Sequence, residues 1–286
     1  MKVAVIGLGL IGASLAMALK GFEDAEITGV VRSQSTLEYA VEHDVCARVT
    51  RDPMEVLPDA DVVWLCQPPM AILDFLKEHR DHFKPGALVT DVCGVKTAVM
   101  EAAQILPPEV DFIGCHPMAG KETPKIQNAE AALFRNAHFI VTAQPGNLPE
   151  HLALLERMGR YMGFRDVVHT TPEQHDAIIA YTSQVMHIMA VAVCDDPGLF
   201  DCKGYEGGSF RDCTRVAALD VPLWTELFTL NAPALTKVIR RLEENLRAYR
   251  EVLEAGDTEK LAEKLEWSAS RKRRMNLEAH RGDDMH

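Results

Sequence analysis

The chain has 286 residues, room for two modest domains or one large one, and its 47% hydrophobic and 25% charged content is that of a globular protein with a sizeable core. Thirty basic against forty-two acidic side chains leave a formal net charge of −12, which argues against binding to nucleic acid or an anionic membrane. Seven scattered cysteines with no CxxC pair argue against a disulfide framework or a thiolate metal site, and suit the reducing cytoplasm.

In chain order, short β-branched runs at 3–6, 27–31, 62–66, 87–92, 112–115 and 139–142 predict buried strands. Helix-like stretches at 13–19, 35–42, 70–79 and 97–106 lie between them, and 152–162 precedes a last strand at 166–168. Such alternation predicts a doubly wound parallel sheet with helices on both faces. The apolar N-terminus carries three patterned glycines and no clear cleavage site, so it reads as the first strand and turn rather than a signal peptide.

From Thr171 the pattern changes. Thr171-Pro172-Glu173 is a helix start, and 178–193 is apolar nearly all round, which predicts a helix buried on all sides. Thr182, Ser183, Gln184 and His187 interrupt that run and argue against a membrane span. Leu235, Val238, Ile239, Leu242, Leu246, Tyr249 and Leu253 follow at helical steps. Gly256 then ends that helix, and Asp257 or Thr258 caps another. The expected division is an α/β Rossmann-type domain over 1–168 and an all-helical domain over 169–286.

Gly7-Leu8-Gly9-Leu10-Ile11-Gly12 joins the first strand to the first helix. A glycine suits the tight turn, a second lets backbone approach a pyrophosphate, and a third lets helix pack on strand. The same pattern also serves as a plain strand–helix turn, but its place at the head of an alternating chain favours a dinucleotide. Gln67-Pro68, after the strand at 62–66, joins the candidate nucleotide contacts. The second strand ends in Arg32-Ser33 with no acid to hold a ribose 2′-hydroxyl. A guanidinium and a hydroxyl suit a 2′-phosphate, so NADP stands slightly ahead of NAD, unless Arg32 is merely solvated.

His116 closes the fifth strand candidate within Gly114-Cys-His-Pro-Met-Ala-Gly120. There an imidazole can take the proton of a substrate hydroxyl while hydride leaves the adjacent carbon, although a structural histidine is about as common. Ser183 and His187 stand four apart on one helical face, lining a cavity or satisfying each other. Gly207-Gly208-Ser-Phe-Arg-Asp212-Cys-Thr-Arg215 reads as a loop entering a helix at Val216-Ala217. Arg215 would grip a carboxylate in two-point fashion there, or form a surface ion pair. The basic run Arg271–Arg274 reads as a solvated helix face.

The glycine loop, Asp91-Val-Cys-Gly-Val-Lys96, His116-Pro-Met-Ala-Gly-Lys-Glu122, Thr-Ser-x-x-x-His187, Gly207 to Arg215 and the downstream Trp224 together resemble the prephenate/arogenate dehydrogenase family of tyrosine biosynthesis. The resemblance covers nearly the whole chain. It implies a small-molecule substrate, oxidised at a ring hydroxyl with loss of carbon dioxide, and a helical domain that forms a homodimer. It also implies roles for single residues. His116 would take the hydroxyl proton, Arg215 would bind a carboxylate, and His187 would hold the side-chain end or shape the pocket. Gly208, Asp212 and Trp224 fall around the pocket, and Glu122 would tie a loop over it.

Three positions depart from the family pattern. Gly94 stands where many members have a serine, with Cys93 before it; Gln184 stands in place of a histidine; and the acid after the second strand is missing. Prephenate is the first expectation. Arogenate, whose ammonium Asp212 could pair, is the second, although an acid between Arg211 and Arg215 also serves to neutralise them. The rivals are a 3-hydroxyacid dehydrogenase, an imine reductase and a non-catalytic dinucleotide-binding redox sensor.

Overall fold

The structure is a computed structural model that describes residues 1–121 and 125–283, the last five by backbone alone. Eight strands form one sheet: β1 (Lys2–Ile6), β2 (Glu26–Val30), β3 (Arg48–Thr50), β4 (Val62–Leu65), β5 (Leu88–Asp91), β6 (Asp111–Pro117), β7 (His138–Thr142) and β8 (Asp166–Thr170). Their order is β3-β2-β1-β4-β5-β6-β7-β8. The first six run parallel, so the order reverses between β1 and β4 and opens a crevice at the carboxyl edge there. This is the doubly wound architecture that the alternation predicts.

Helices α1 (Leu10–Ala18), α2 (Gln34–Glu42), α3 (Pro69–His79), α4 (Thr97–Ala103) and α5 (Pro149–Met162) fill the connections. Side chains alternate across the sheet with the period of two that a strand dictates. Val3, Val5, Val62 and Trp64 join Leu15, Leu155 and Met158 in one core layer. Ala4, Ile6, Val63 and Leu65 join Ile72, Leu76, Val99 and Met100 in the other.

The sheet departs from the expected pattern in two places. β3 went unrecognised, because three residues carry too little periodicity. β7 runs antiparallel to β6 and parallel to β8. Between β6 and β7 the described chain makes only two short 3-10 turns, Ile126–Asn128 and Ala131–Phe134, and a parallel return needs a longer crossover.

Beyond β8 lie α6 (Pro172–Ile179), a π-helical turn (Ala180–Gln184), α7 (Val185–Cys194), α8 (Gly208–Thr214), α9 (Val221–Leu230), α10 (Ala232–Glu254) and α11 (Thr258–Asp283). The Thr171 hydroxyl caps α6 by accepting from the Gln174 amide at 3.2 Å. The segment expected as a loop entering a helix at Val216 is itself helical from Gly208, with Gly207 as N-cap. Paired glycines weaken a helix without forbidding its first turn.

The expectation of full burial for 178–193 is not met within this chain: Ile178, Tyr181 and Val193 are 48%, 61% and 46% exposed. Its inner face packs on the protein and its outer face is left open. By length and mean hydropathy alone, Pro172–Cys194 is long enough to cross a membrane. Gln184 nonetheless ties it to α9, donating to the Leu227 carbonyl at 3.3 Å and accepting from Asn231 at 2.7 Å.

Contacts divide the chain into a larger unit, Met1–Leu235, and a smaller one from Thr236 onward. In the smaller unit Gly256 turns the chain with φ +65° and Asp257 caps α11, its carboxylate accepting from the Lys260 amide at 2.9 Å. The Tyr249 hydroxyl reaches Ser268 across the two helices at 3.0 Å.

Candidate active site

The turn after β1 is shaped by glycine. Gly7 has φ +98°, and a Cβ there would stand 2.9 Å from the Cys66 carbonyl oxygen. A Cβ at Gly12 would meet the Gly7 carbonyl oxygen at 1.9 Å. Gly9 is the N-cap of α1 and offers no side-chain cap, so the amides of Leu10, Ile11 and Gly12 open the helix with its partial positive charge. Leu8 is packed in the core.

Beside this turn, Gln67 leaves its buried Oε1 without a hydrogen-bond partner, and Pro68 is the N-cap of α3. At the end of β2, Arg32 is exposed and Ser33 caps α2, its Oγ accepting from the Thr36 amide at 3.1 Å. Arg51, at the end of β3, donates Nε to the Arg32 carbonyl at 3.1 Å and adds a second guanidinium. Cradle, orphaned acceptor and paired cations fit a dinucleotide with its phosphates at the head of α1.

His116 lies on β6 at the same carboxyl edge, partly buried. Its Nδ1 is 2.9 Å from His175 Nε2, and His175 Nδ1 is 2.8 Å from Asp176 Oδ1. Asp176 also accepts the Lys96 amide at 2.7 Å and the Thr97 amide at 2.9 Å, which fastens α6 to the head of α4. Lys96 is in turn joined to Asp91 in a fully buried ion pair.

Burial, with help from neighbouring His175 and Lys96, holds His116 well below the usual histidine range; Asp176 acts in the opposite sense. His175 is lowered as well, chiefly by burial. For Asp176 burial works upward, but bonds from His175, Thr97 and Lys96 outweigh it and the carboxyl is lowered. The site therefore presents a neutral imidazole backed by an anion one ring away.

The other edge of His116 faces residue 94. A Cβ built on Gly94 would stand 3.8 Å from His116 Nε2 and 3.4 Å from Leu227. Cys93 instead packs into the core, where burial pushes its thiol up to about 12, so it supplies neither a base nor the missing hydroxyl.

His187 on α7 has Nδ1 3.0 Å from the Ser183 carbonyl, and its ring stacks on Trp224 at 3.6 Å. Trp224 and Leu227 stand three apart on α9, so one helical face touches both His187 and the Gly94 surroundings of His116. The α8 segment and the turn Arg215–Ala217 pack against α7. Gly208, Asp212 and Arg215 are exposed, and Ser183 is half-buried. Gln184, in place of a family histidine, is turned inward to Leu227 and Asn231. Glu122 lies outside the described residues. Among the described residues no cluster of His, Cys, Asp or Glu could hold a metal ion.

Sequence reading missed His175, Asp176, Asn231 and Arg51. A signal for the first two was present. The buried stripe of α6 runs Pro172, His175, Asp176, Ile179, so histidine and aspartate occupy core-facing positions where apolar residues are expected. Arg51 was hidden with the strand it follows.

Residues 15–166 match the nucleotide-binding domain of prephenate dehydrogenase and residues 171–267 match its dimerization domain. A cyclohexadienyl dehydrogenase of Zymomonas mobilis is 29% identical over 96% of this chain and 95% of its own. Among solved structures, an arogenate dehydrogenase of Synechocystis is 32% identical, with a TM-score of 0.82 over 96% of this chain and 100% of that one. A prephenate dehydrogenase from A. aeolicus, in complex with hydroxyphenyl propionate and NAD+, is 27% identical, with a TM-score of 0.86 over 97% and 98%. The chain belongs to the prephenate dehydrogenase family of NAD(P)-dependent oxidoreductases.

Proposed function

We propose that the chain oxidises and decarboxylates prephenate to 4-hydroxyphenylpyruvate. The observation that carries this reading is the His116 imidazole, bonded to His175 at the sheet edge that also bears the glycine cradle, where burial lowers its pKa. A nicotinamide dinucleotide held by the Gly7–Gly12 turn would supply the acceptor for the hydride on the ring carbon that bears the hydroxyl. The hydroxyl proton passes to His116 Nε2. The bond to the ring carboxylate then breaks, carbon dioxide leaves, and the electron pair left behind makes the ring aromatic. His116 returns its proton to the phenolic oxygen. Aromatisation drives the step forward, so the protein mainly aligns the reactants and accepts one proton.

Around that centre, Arg215 holds a substrate carboxylate, and His187 on its Trp224 platform holds the side-chain end beside Ser183. Gly208 leaves room for the substrate. The Gly7–Gly12 turn, Gln67 and Pro68 hold the dinucleotide, and Arg32 with Ser33 favours the 2′-phosphate of NADP over NAD. Residues 1–168 carry the nucleotide and 169–286 the substrate pocket and the contact of a homodimer. The open apolar face at Ile178, Tyr181 and Val193 is suited to that contact. Seven free cysteines are in keeping with the cytoplasm.

Arogenate is the second reading, favoured by the exposed carboxylate of Asp212 three residues before Arg215. One experiment addresses all of these choices: nicotinamide reduction with prephenate or arogenate, each with NAD or NADP. The expected result is turnover of prephenate, fastest with NADP. Dinucleotide binding without turnover of either substrate would return the redox-sensor reading. In Asp212→Asn, loss of arogenate turnover with prephenate turnover kept would assign the acid to the ammonium; an unchanged preference would remove it from substrate choice.

A further inference from the structure

We propose that His175, held by Asp176, is a positioning residue that fixes the tautomer of His116, leaving His116 Nε2 unprotonated toward the substrate hydroxyl. The inference deepens the reading above and rests on His116 as the base.

The direction of every bond follows from counting donors. An ionised carboxylate only accepts, and Asp176 already takes two backbone amides, those of Lys96 and Thr97. His175 Nδ1, 2.8 Å from Oδ1, must therefore carry the proton. A neutral imidazole has one donor and one acceptor, so His175 Nε2 is the acceptor. It faces His116 Nδ1 at 2.9 Å, which must donate, and the lone pair of His116 is left on Nε2. That nitrogen is the one on the Gly94 side.

The interposed ring has a second consequence. A carboxylate bonded directly to a histidine raises its pKa; at His175 burial outweighs that pull and the ring stays neutral. With a neutral ring between, His116 keeps its orientation but stays a free base. When the proton arrives, His175 and the Asp176 anion beyond it polarise toward the new charge. The charged groups acting on the two rings are Asp176 from α6 and the paired Asp91 and Lys96 from β5 and its loop. From α9, Asn231 adds an amide that donates to the Asp176 carbonyl at 2.9 Å. One carboxylate thereby fixes the orientation of the base and the position of the loop that carries Gly94.

The test uses full-length enzyme with 15N-labelled histidine, the His116 signals being assigned by their loss in His116→Gln. Long-range 15N–1H spectra of the wild type should show His116 protonated at Nδ1 and bare at Nε2. In His175→Leu that preference should be lost, and kcat should fall about 100-fold with KM within about threefold, as expected for a mis-set general base. His175→Gln can place its Oε1 where Nε2 stood, and should recover kcat to within about tenfold of wild type, since it restores the acceptor. A wild-type His116 protonated at Nε2 overturns the proposal, even if His175→Leu does not fold. So does a His175→Leu enzyme with unchanged kcat and tautomer. Failure of the wild type to turn over either substrate would instead count against the proposed function, and the spectra would still decide the tautomer.

Discussion

Replacing His116 with glutamine lowers kcat by about 10³-fold, within the range expected for loss of a general base, and leaves dinucleotide affinity unchanged. Glutamine is a close test because its amide can still meet His175 but cannot take up the hydroxyl proton. The glycine turn lies after a different strand, so nucleotide binding is a separate readout. The pH profile follows from the direction of the His116 shift. Burial, His175 and Lys96 hold it well below the usual histidine value, with only Asp176 opposing. The neutral form is the active base, and it persists as pH falls through 6.5, the ordinary histidine value. Wild-type kcat/KM should therefore show its acid limb below 6.5. Steady-state kinetics across pH check both statements, and a glutamine variant within tenfold of wild-type kcat would remove His116 from the chemistry.

The parts legible in the sequence were those encoded locally. Three glycines at fixed spacing between an apolar run and a helix specify one turn geometry, and Gly7 and Gly12 stand where a side chain cannot. The β-branched runs specify strands because each is buried on both faces, as the two core layers require. His116 was legible from its place at a strand end flanked by proline and glycine. The direction of β7 was not, since an apolar run reads the same either way and its sense follows only from a connection with no crossover helix among the described residues.

What stayed hidden depends on contacts between distant segments. His116 meets His175 across 59 residues, and Asp176 caps the head of α4 from 80 residues away. No local pattern encodes either meeting. The fate of position 94 was equally non-local. Cys93 and Gly94 are neighbours in sequence, yet the thiol turns into the core while the glycine faces the imidazole. The apolar run at 178–193 misled for a related reason: composition shows that a face must be covered, and not whether the cover comes from this chain.

The glycine turn carries the second large effect. Gly12→Ala should weaken binding of NADPH and NADH by about 100-fold, or ~2.8 kcal/mol at 1.4 kcal/mol per tenfold. The added methyl would sit 1.9 Å from the Gly7 carbonyl oxygen and 2.9 Å from the Cys66 Cβ. Both neighbours are held. Gly7 donates its amide to the Val30 carbonyl at 2.8 Å, and the Cys66 amide donates to Ile6 at 2.8 Å. The strands therefore cannot yield, and α1 must move outward by about 1 Å to restore normal contact. That shift carries the amides of Leu10 and Ile11 away from where a pyrophosphate would lie, and hydrogen bonds weaken steeply with such displacement. It also opens the core beneath Leu15 and Ala16, so thermal stability should fall as well. Fluorescence titration with the reduced dinucleotides measures the first effect and a melting curve the second. A folded Gly12→Ala enzyme that binds NADPH as tightly as wild type would show that the head of α1 is not where the phosphates rest.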